Sequence, residues 1–125
     1  MNVAINQTTA VLALPYAAVQ NRGQSGEISE ARLLAEKAMR EVIAVANAEG
    51  IDLNDSDMAN AFSVTNQLSP TGYTSMCQDV LAGRKTELEM FSLALMDLAK
   101  KHGIPVPVNE VLYLQLRTIE RHIGV

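Results

Sequence analysis

Ser69-Pro-Thr-Gly-Tyr-Thr-Ser-Met-Cys-Gln-Asp-Val-Leu-Ala-Gly-Arg-Lys-Thr-Glu87 is the stretch from which the rest of the chain is read. Its opening is loop chemistry, because Pro70 cannot donate to a ladder and Gly72 tolerates positive φ. Tyr73 to Ala82 then reads as a short helix with Thr74, Ser75, Gln78 and Asp79 near its start. Hydroxyls there lie beside unpaired backbone N–H groups and the positive end of the helix dipole, a setting that suits a carboxylate ligand. Gly83 ends the run, and Thr86-Glu87 opens the next helix with a carboxylate in its first turn. Ser75 and Glu87 therefore flank one helix–turn–helix corner.

On either side of this corner the pattern is helical. Asn2 to Leu14 reads as a helix weakened by the β-branched pair Thr8-Thr9, apolar around much of its circumference and therefore buried. Pro15 closes it, Tyr16 to Val19 forms a further turn, and Asn21 to Gly26 is a polar loop with two glycines. Ser29 caps a long helix to Glu49, with Leu34, Ala38, Val42 and Val45 on its core face and Gly50 as its stop. Asp55 or Ser56 caps a shorter helix that ends before Ser69-Pro70. Beyond the corner, Thr86 to Lys101 carries a seam of Leu88, Phe91, Leu95 and Leu98, and Gly103 stops it. Pro105 and Pro107 force an extended passage, and Asn109 caps a last helix through Leu112, Leu116, Ile119 and Ile123. Six or so helices, no strand signal and no repeat make an all-α domain.

The 125 residues suffice for a single core. Few aromatics and many Ala, Leu, Val and Met suit helix packing, and the six methionines read as core filler. Net charge is −4 with scattered Lys and Arg, which speaks against a nucleic-acid partner. No apolar run is long enough to span a bilayer, and the N-terminus lacks the marks of a signal peptide. The lone Cys77 fits a reducing cytoplasm and reads as a small buried hydrophobe with no activating neighbour. His102 and His122 sit at helix ends, and no spacing suggests a metal site. No Gly-x-Gly-x-x-Gly occurs, so nothing here would cradle a dinucleotide.

The run Thr74-Ser-Met-x-Gln-Asp-x-x-x-Gly-Arg-x-Thr-Glu87 resembles the substrate-domain signature of ketopantoate reductases (2-dehydropantoate 2-reductases). Two further stretches agree. Asn2-Val-Ala-Ile-Asn6 with Thr8-Thr9-Ala10 is similar to the family's Lys-x-x-x-Asn-x-x-x-Asn-x-x-Thr-Ala helix without its lysine. Lys101-His-Gly-Ile-Pro-Val-Pro-Val-Asn109 matches the loop before the last helix. The resemblance covers nearly the whole chain. It implies the helical fold of the C-terminal domains of six-phosphogluconate dehydrogenase-like reductases, over residues 1–125, with the N-terminal dinucleotide-binding domain absent.

It further implies the substrate-binding half of an NADPH-dependent 2-oxo acid reductase, converting 2-dehydropantoate to pantoate on the way to pantothenate and coenzyme A. Ser75 would hold the substrate carboxylate, Asn2 and Asn6 its carbonyl side, and Glu87 would orient a general-acid lysine four residues before Asn2, outside this chain. Asp79 and Gln78, although typical of the family, read as structural. The chain alone would bind no NADPH and turn nothing over, and its uncovered apolar surface would favour a homodimer or higher oligomer, with exchange of the first helix between chains as one route. The chain departs from the family at Asn6-Gln7 (often Asn-Pro), at Pro15-Tyr16-Ala17 (often Pro-Asn-Gly) and at Gly72 (often Asn). A paralogue acting on another 2-oxo acid, or a stand-alone helical interaction module without catalysis, are the alternatives.

Overall fold

The computed structural model describes residues 2–20 and 28–125. The loop expected at Asn21 to Gly26 lies outside them. Among the described residues six α-helices follow in order: α1 Asn2–Leu12, α2 Glu30–Ala48, α3 Asp55–Asn66, α4 Ser75–Leu81, α5 Leu88–His102 and α6 Pro107–Ile123, with a 3-10 turn at Tyr16–Ala18. Among the described residues there is no strand.

The first helix is the hub, packing against α2, α4 and α6. Thr8 and Thr9, expected to weaken it, are fully buried, and their hydroxyls donate back to Ala4 O (2.8 Å) and Ile5 O (3.0 Å). A threonine that bonds its own helix in this way can face a core without an orphaned hydroxyl. Ile5 joins Phe62 of α3, Met39 of α2 and Leu112 of α6 in one core cluster. Ala10, Met76, Cys77, Leu88 and Leu116 form a second, which fastens α1, α4, α5 and α6 together. Val45, Leu95, Ala99 and Val106 form a third. The α5 seam is thus divided: Leu88 and Leu95 serve different clusters, and Phe91 is only half-buried. The methionines divide as well. Met39, Met58 and Met76 are core, whereas Met90 is 73 % exposed.

Four helix starts differ from the sequence expectation. Asn54, not Asp55 or Ser56, caps α3, accepting from Ser56 N and Asp57 N while Asp57 accepts from Asn54 N. Thr74 caps α4, its hydroxyl accepting from Cys77 N at 3.2 Å, so the helix begins at Ser75 and not at Tyr73. Helix α5 begins at Leu88, with Glu87 at its cap position making no cap hydrogen bond and Thr86 outside. Helix α6 begins at Pro107, whose fixed φ suits a first helical residue, so Pro107 starts the helix instead of blocking it. Asn109 is therefore interior. Its buried amide donates to Ala38 O and Glu41 Oε1, and the Glu41 carboxylate of α2 accepts from Val108 N and Asn109 N, each at 2.9 Å. The cap of α6 comes from a distant helix.

Candidate functional site

Three helices wall a hollow of about 220 Å³ lined by Val3, Asn6, Ser75, Met76, Asp79, Glu87, Met90 and Phe91. At ~30 Å³ of liquid per water this is room for roughly seven waters, the scale of a small metabolite and below that of a drug-sized ligand. Asn6 comes from α1, Ser75 and Asp79 from α4, and Glu87, Met90 and Phe91 from the start of α5. The lining is mixed, with Asn6, Ser75, Asp79 and Glu87 polar and Val3, Met76, Met90 and Phe91 apolar.

The α1–α4 wall is held from inside. Thr9 Oγ1 and Thr74 Oγ1 lie 2.7 Å apart in a buried hydrogen bond, and Thr74 also caps α4. Ser75, next to this anchored residue, is exposed on the hollow side. Its hydroxyl donates to Asn6 Oδ1 at 3.4 Å, and Met76 N donates to the same oxygen at 3.5 Å. Both contacts are long, so the Ser75 hydroxyl is held loosely and can turn to a ligand acceptor. Asn6 Nδ2 donates to Asn2 O at 2.8 Å. The α4–α5 corner is closed by Arg84 Nε on Asp79 Oδ1 at 3.1 Å, and Gln78 Nε2 donates to Tyr73 O. Asp79 therefore ties the loop after α4 back to its own helix instead of bridging two helices, and it also lines the hollow.

Ser75, Asn6 and Glu87 are brought together. Asn2 is not part of this hollow. It lines a neighbouring one of about 100 Å³, with Ile5, Tyr16, Val64, Thr65, Leu68 and Thr74, and Asn6 stands between the two. Tyr16 and Gly72, both departures from the family pattern, are in contact. Tyr16 N donates to Gly72 O at 2.8 Å, and a Cβ at Gly72 would meet the Tyr16 ring at 3.4 Å and Ser69 O at 3.3 Å.

The electrostatics are one-sided. The hollow carries two carboxylates, Asp79 and Glu87, and none of its lining residues is Lys, Arg or His. Arg84 answers Asp79, and Lys85 pairs with Glu89, leaving Glu87 as the carboxylate to which a further cation would be drawn. Cys77 is fully buried, and burial pushes its thiol pKa up, which keeps it protonated and unreactive. Among the described residues no group of three or more His, Cys, Asp or Glu is placed to hold a metal. No helix among them is long and apolar enough to cross a membrane.

Met90 and Phe91 were missed by sequence reasoning as site residues, Phe91 because a helical seam is read as core whichever way its first turn faces, and Met90 because the methionines were read together as core filler. Met90 did carry a signal: it lies off the seam of Leu88, Phe91, Leu95 and Leu98, where a large apolar side chain has no core to enter.

Comparison with known proteins gives the family and the fold. The family model described as ketopantoate reductase PanE/ApbA C terminal matches residues 1–120. A 2-dehydropantoate 2-reductase of Halobacterium salinarum is 33 % identical over 121 residues, which are 97 % of this chain and 38 % of the relative. A dimeric ketopantoate reductase of Staphylococcus aureus superposes with a TM-score of 0.84 at 23 % identity, over 98 % of this chain and 41 % of that one. D-mandelate dehydrogenase, solved with NADH and anilino(oxo)acetate, gives 0.81 at 23 % identity, over 99 % and 39 %. The chain thus spans about two fifths of the length of these relatives.

Proposed function

Because the chain belongs to the ketopantoate reductase family, whose C-terminal model it fills, we propose that it is the substrate-binding half of an NADPH-dependent 2-oxo acid reductase, acting on 2-dehydropantoate in the cytoplasm. One observation carries the reading: a hydroxyl, an amide and a carboxylate from three separate helices meet at one small hollow that Val3, Met76, Met90 and Phe91 also line. Ser75 donates its hydroxyl to the substrate carboxylate. Asn6 turns its amide to the carbonyl side, with Asn2 supporting it through the 2.8 Å bond between them. Met90, Phe91, Met76 and Val3 take the substituent. Glu87 aligns the ammonium of a lysine that precedes Asn2 in the whole protein, and that lysine gives the alkoxide oxygen its proton.

The absence of a cation among the lining residues supports this division of labour. An anionic substrate would meet only Asp79 and Glu87 here, and a lysine from outside would balance them. NADPH is assigned to the dinucleotide-binding half, because the Gly-x-Gly-x-x-Gly turn that cradles a dinucleotide does not occur in this sequence. A homodimer is proposed as well. It draws on the exposed Leu93 of α5, whereas α1 is enclosed by its own chain, more than half of its residues being buried.

A second acid is favoured by one observation. Tyr16 and Gly72, in contact beside the second hollow, stand where the family often has asparagines, and a wall without those amides suits a less hydroxylated 2-oxo acid. The test is NADPH oxidation by the polypeptide that joins this domain to its dinucleotide-binding half, against 2-dehydropantoate and a panel of aliphatic and aromatic 2-oxo acids. Turnover of one of them, lost from the isolated domain, is expected. No turnover of any, or equal turnover by residues 1–125 alone, overturns the reading. Gene sequence upstream of Asn2 that encodes no dinucleotide-binding half would favour the interaction module instead.

A further inference from the structure

A carboxylate with no exposure to solvent costs free energy unless hydrogen bonds and an ion pair hold it. Glu120, on the last helix, is 0 % exposed. Its Oε2 accepts from Thr86 N at 2.7 Å and from Thr86 Oγ1 at 2.9 Å, and its Oε1 lies 3.3 Å from Arg117 Nη1. Thr86 Oγ1 accepts in turn from Leu88 N, the first residue of α5, at 3.2 Å. Residues 86 and 88 are thus pinned to the core by one chain of hydrogen bonds that starts at Glu120. Glu87 lies between them. It has no cap bond of its own, and its backbone (φ −82, ψ 10) is set by its two anchored neighbours. Packing alone would be served as well by an apolar residue, since a buried ion pair is often no more stabilising than a hydrophobic replacement. What the carboxylate adds is direction: it fixes the height and rotation at which α5 begins, and with them the line along which the Glu87 side chain enters the hollow.

We propose that Glu120 is a positioning residue that acts on the reaction through Thr86 and Glu87. The proposal rests on the reading of Glu87 as a residue of the reductase site. It is tested in the polypeptide that joins this domain to its dinucleotide-binding half, by steady-state kinetics on the 2-oxo acid that it reduces, with Glu120→Gln, Thr86→Val, Glu87→Gln, Ser75→Ala and their pairs. Glu120→Gln keeps one acceptor for the Thr86 donors, and Thr86→Val breaks the relay from the other side should Glu120→Gln fail to fold. Each is expected to lower kcat about tenfold while KM moves less than about threefold, and combined with Glu87→Gln neither lowers kcat further, because all act through one group. Combined with Ser75→Ala, the effects multiply. Equal multiplication with Glu87→Gln, or an unchanged kcat in both relay variants, overturns the proposal and leaves Glu120 a structural residue only. A Glu87→Gln enzyme with the parent kcat instead removes Glu87 from the site, and the proposal falls with that premise.

Discussion

Ser75→Ala separates binding from folding more cleanly than any other change in the hollow. The serine is exposed at the first residue of α4, and the cap of that helix is made by Thr74. The Ser75 hydroxyl donates to Asn6 Oδ1 at 3.4 Å, a long contact. Removing the hydroxyl therefore breaks no cap and orphans no buried group, and stability should move by no more than about 0.5 kcal/mol. Its effect on the ligand is larger. A hydroxyl donating to a carboxylate contributes about 1.5–3 kcal/mol. At about 1.36 kcal/mol per factor of ten, KM for the 2-oxo acid should rise about 13- to 160-fold. The carboxylate is held equally in ground and transition states, so kcat should stay within about threefold. The assay is NADPH oxidation by the joined two-domain protein, with thermal melting of the same sample as control. A KM within about threefold of the parent, in a variant that melts normally, would refute the assignment of the carboxylate to Ser75.

Thr74→Ala should behave in the opposite way. It loses both the α4 cap and the 2.7 Å bond to Thr9, and should destabilise the domain by about 2–3 kcal/mol in urea denaturation, with Thr74→Ser recovering most of it. Asn54→Ala removes the capping box of α3 far from the hollow. It should cost about 0.5–2 kcal/mol and leave KM unchanged, and a shifted KM would contradict the assignment of the site to α1, α4 and α5. Hydrogen bonds from His102 and then Lys101 hold the Glu49 carboxyl below its ordinary pKa. A folded pKa below the unfolded one stabilises above the ordinary carboxylate value, and that contribution is lost as pH falls through that value and below. The urea midpoints of the parent and Glu49→Gln should therefore differ near neutral pH and converge in acid, and a constant gap would remove the tie between α2 and α5 as its cause.

Much of the fold is legible in the sequence because its signals are local. Ser29 accepts from Arg32 N at the start of α2, and Gly50 and Gly103 end their helices at positive φ, as their residue types foretell. What escaped is long-range. Asn109 looks like a cap until Glu41, 68 positions away in sequence, supplies the carboxylate that caps α6. Thr86 looks like a helix start until Glu120 pulls it into the core. The site divides along the same line. Ser75 and Glu87 are legible as a pair because one short corner separates them. That Asn6 shares their hollow and Asn2 faces the next one depends on how α1 lies against α4, which the buried Thr9–Thr74 bond decides.

The most direct measurement is a crystal structure of the joined two-domain protein with NADPH and an unreactive analogue of its 2-oxo acid. The ligand carboxylate should lie about 2.7 Å from Ser75 Oγ, with its keto oxygen toward Asn6 and a lysine ammonium about 2.8 Å from Glu87. A ligand seated instead in the hollow of Tyr16, Thr65 and Leu68, with Ser75 and Glu87 untouched, would contradict it.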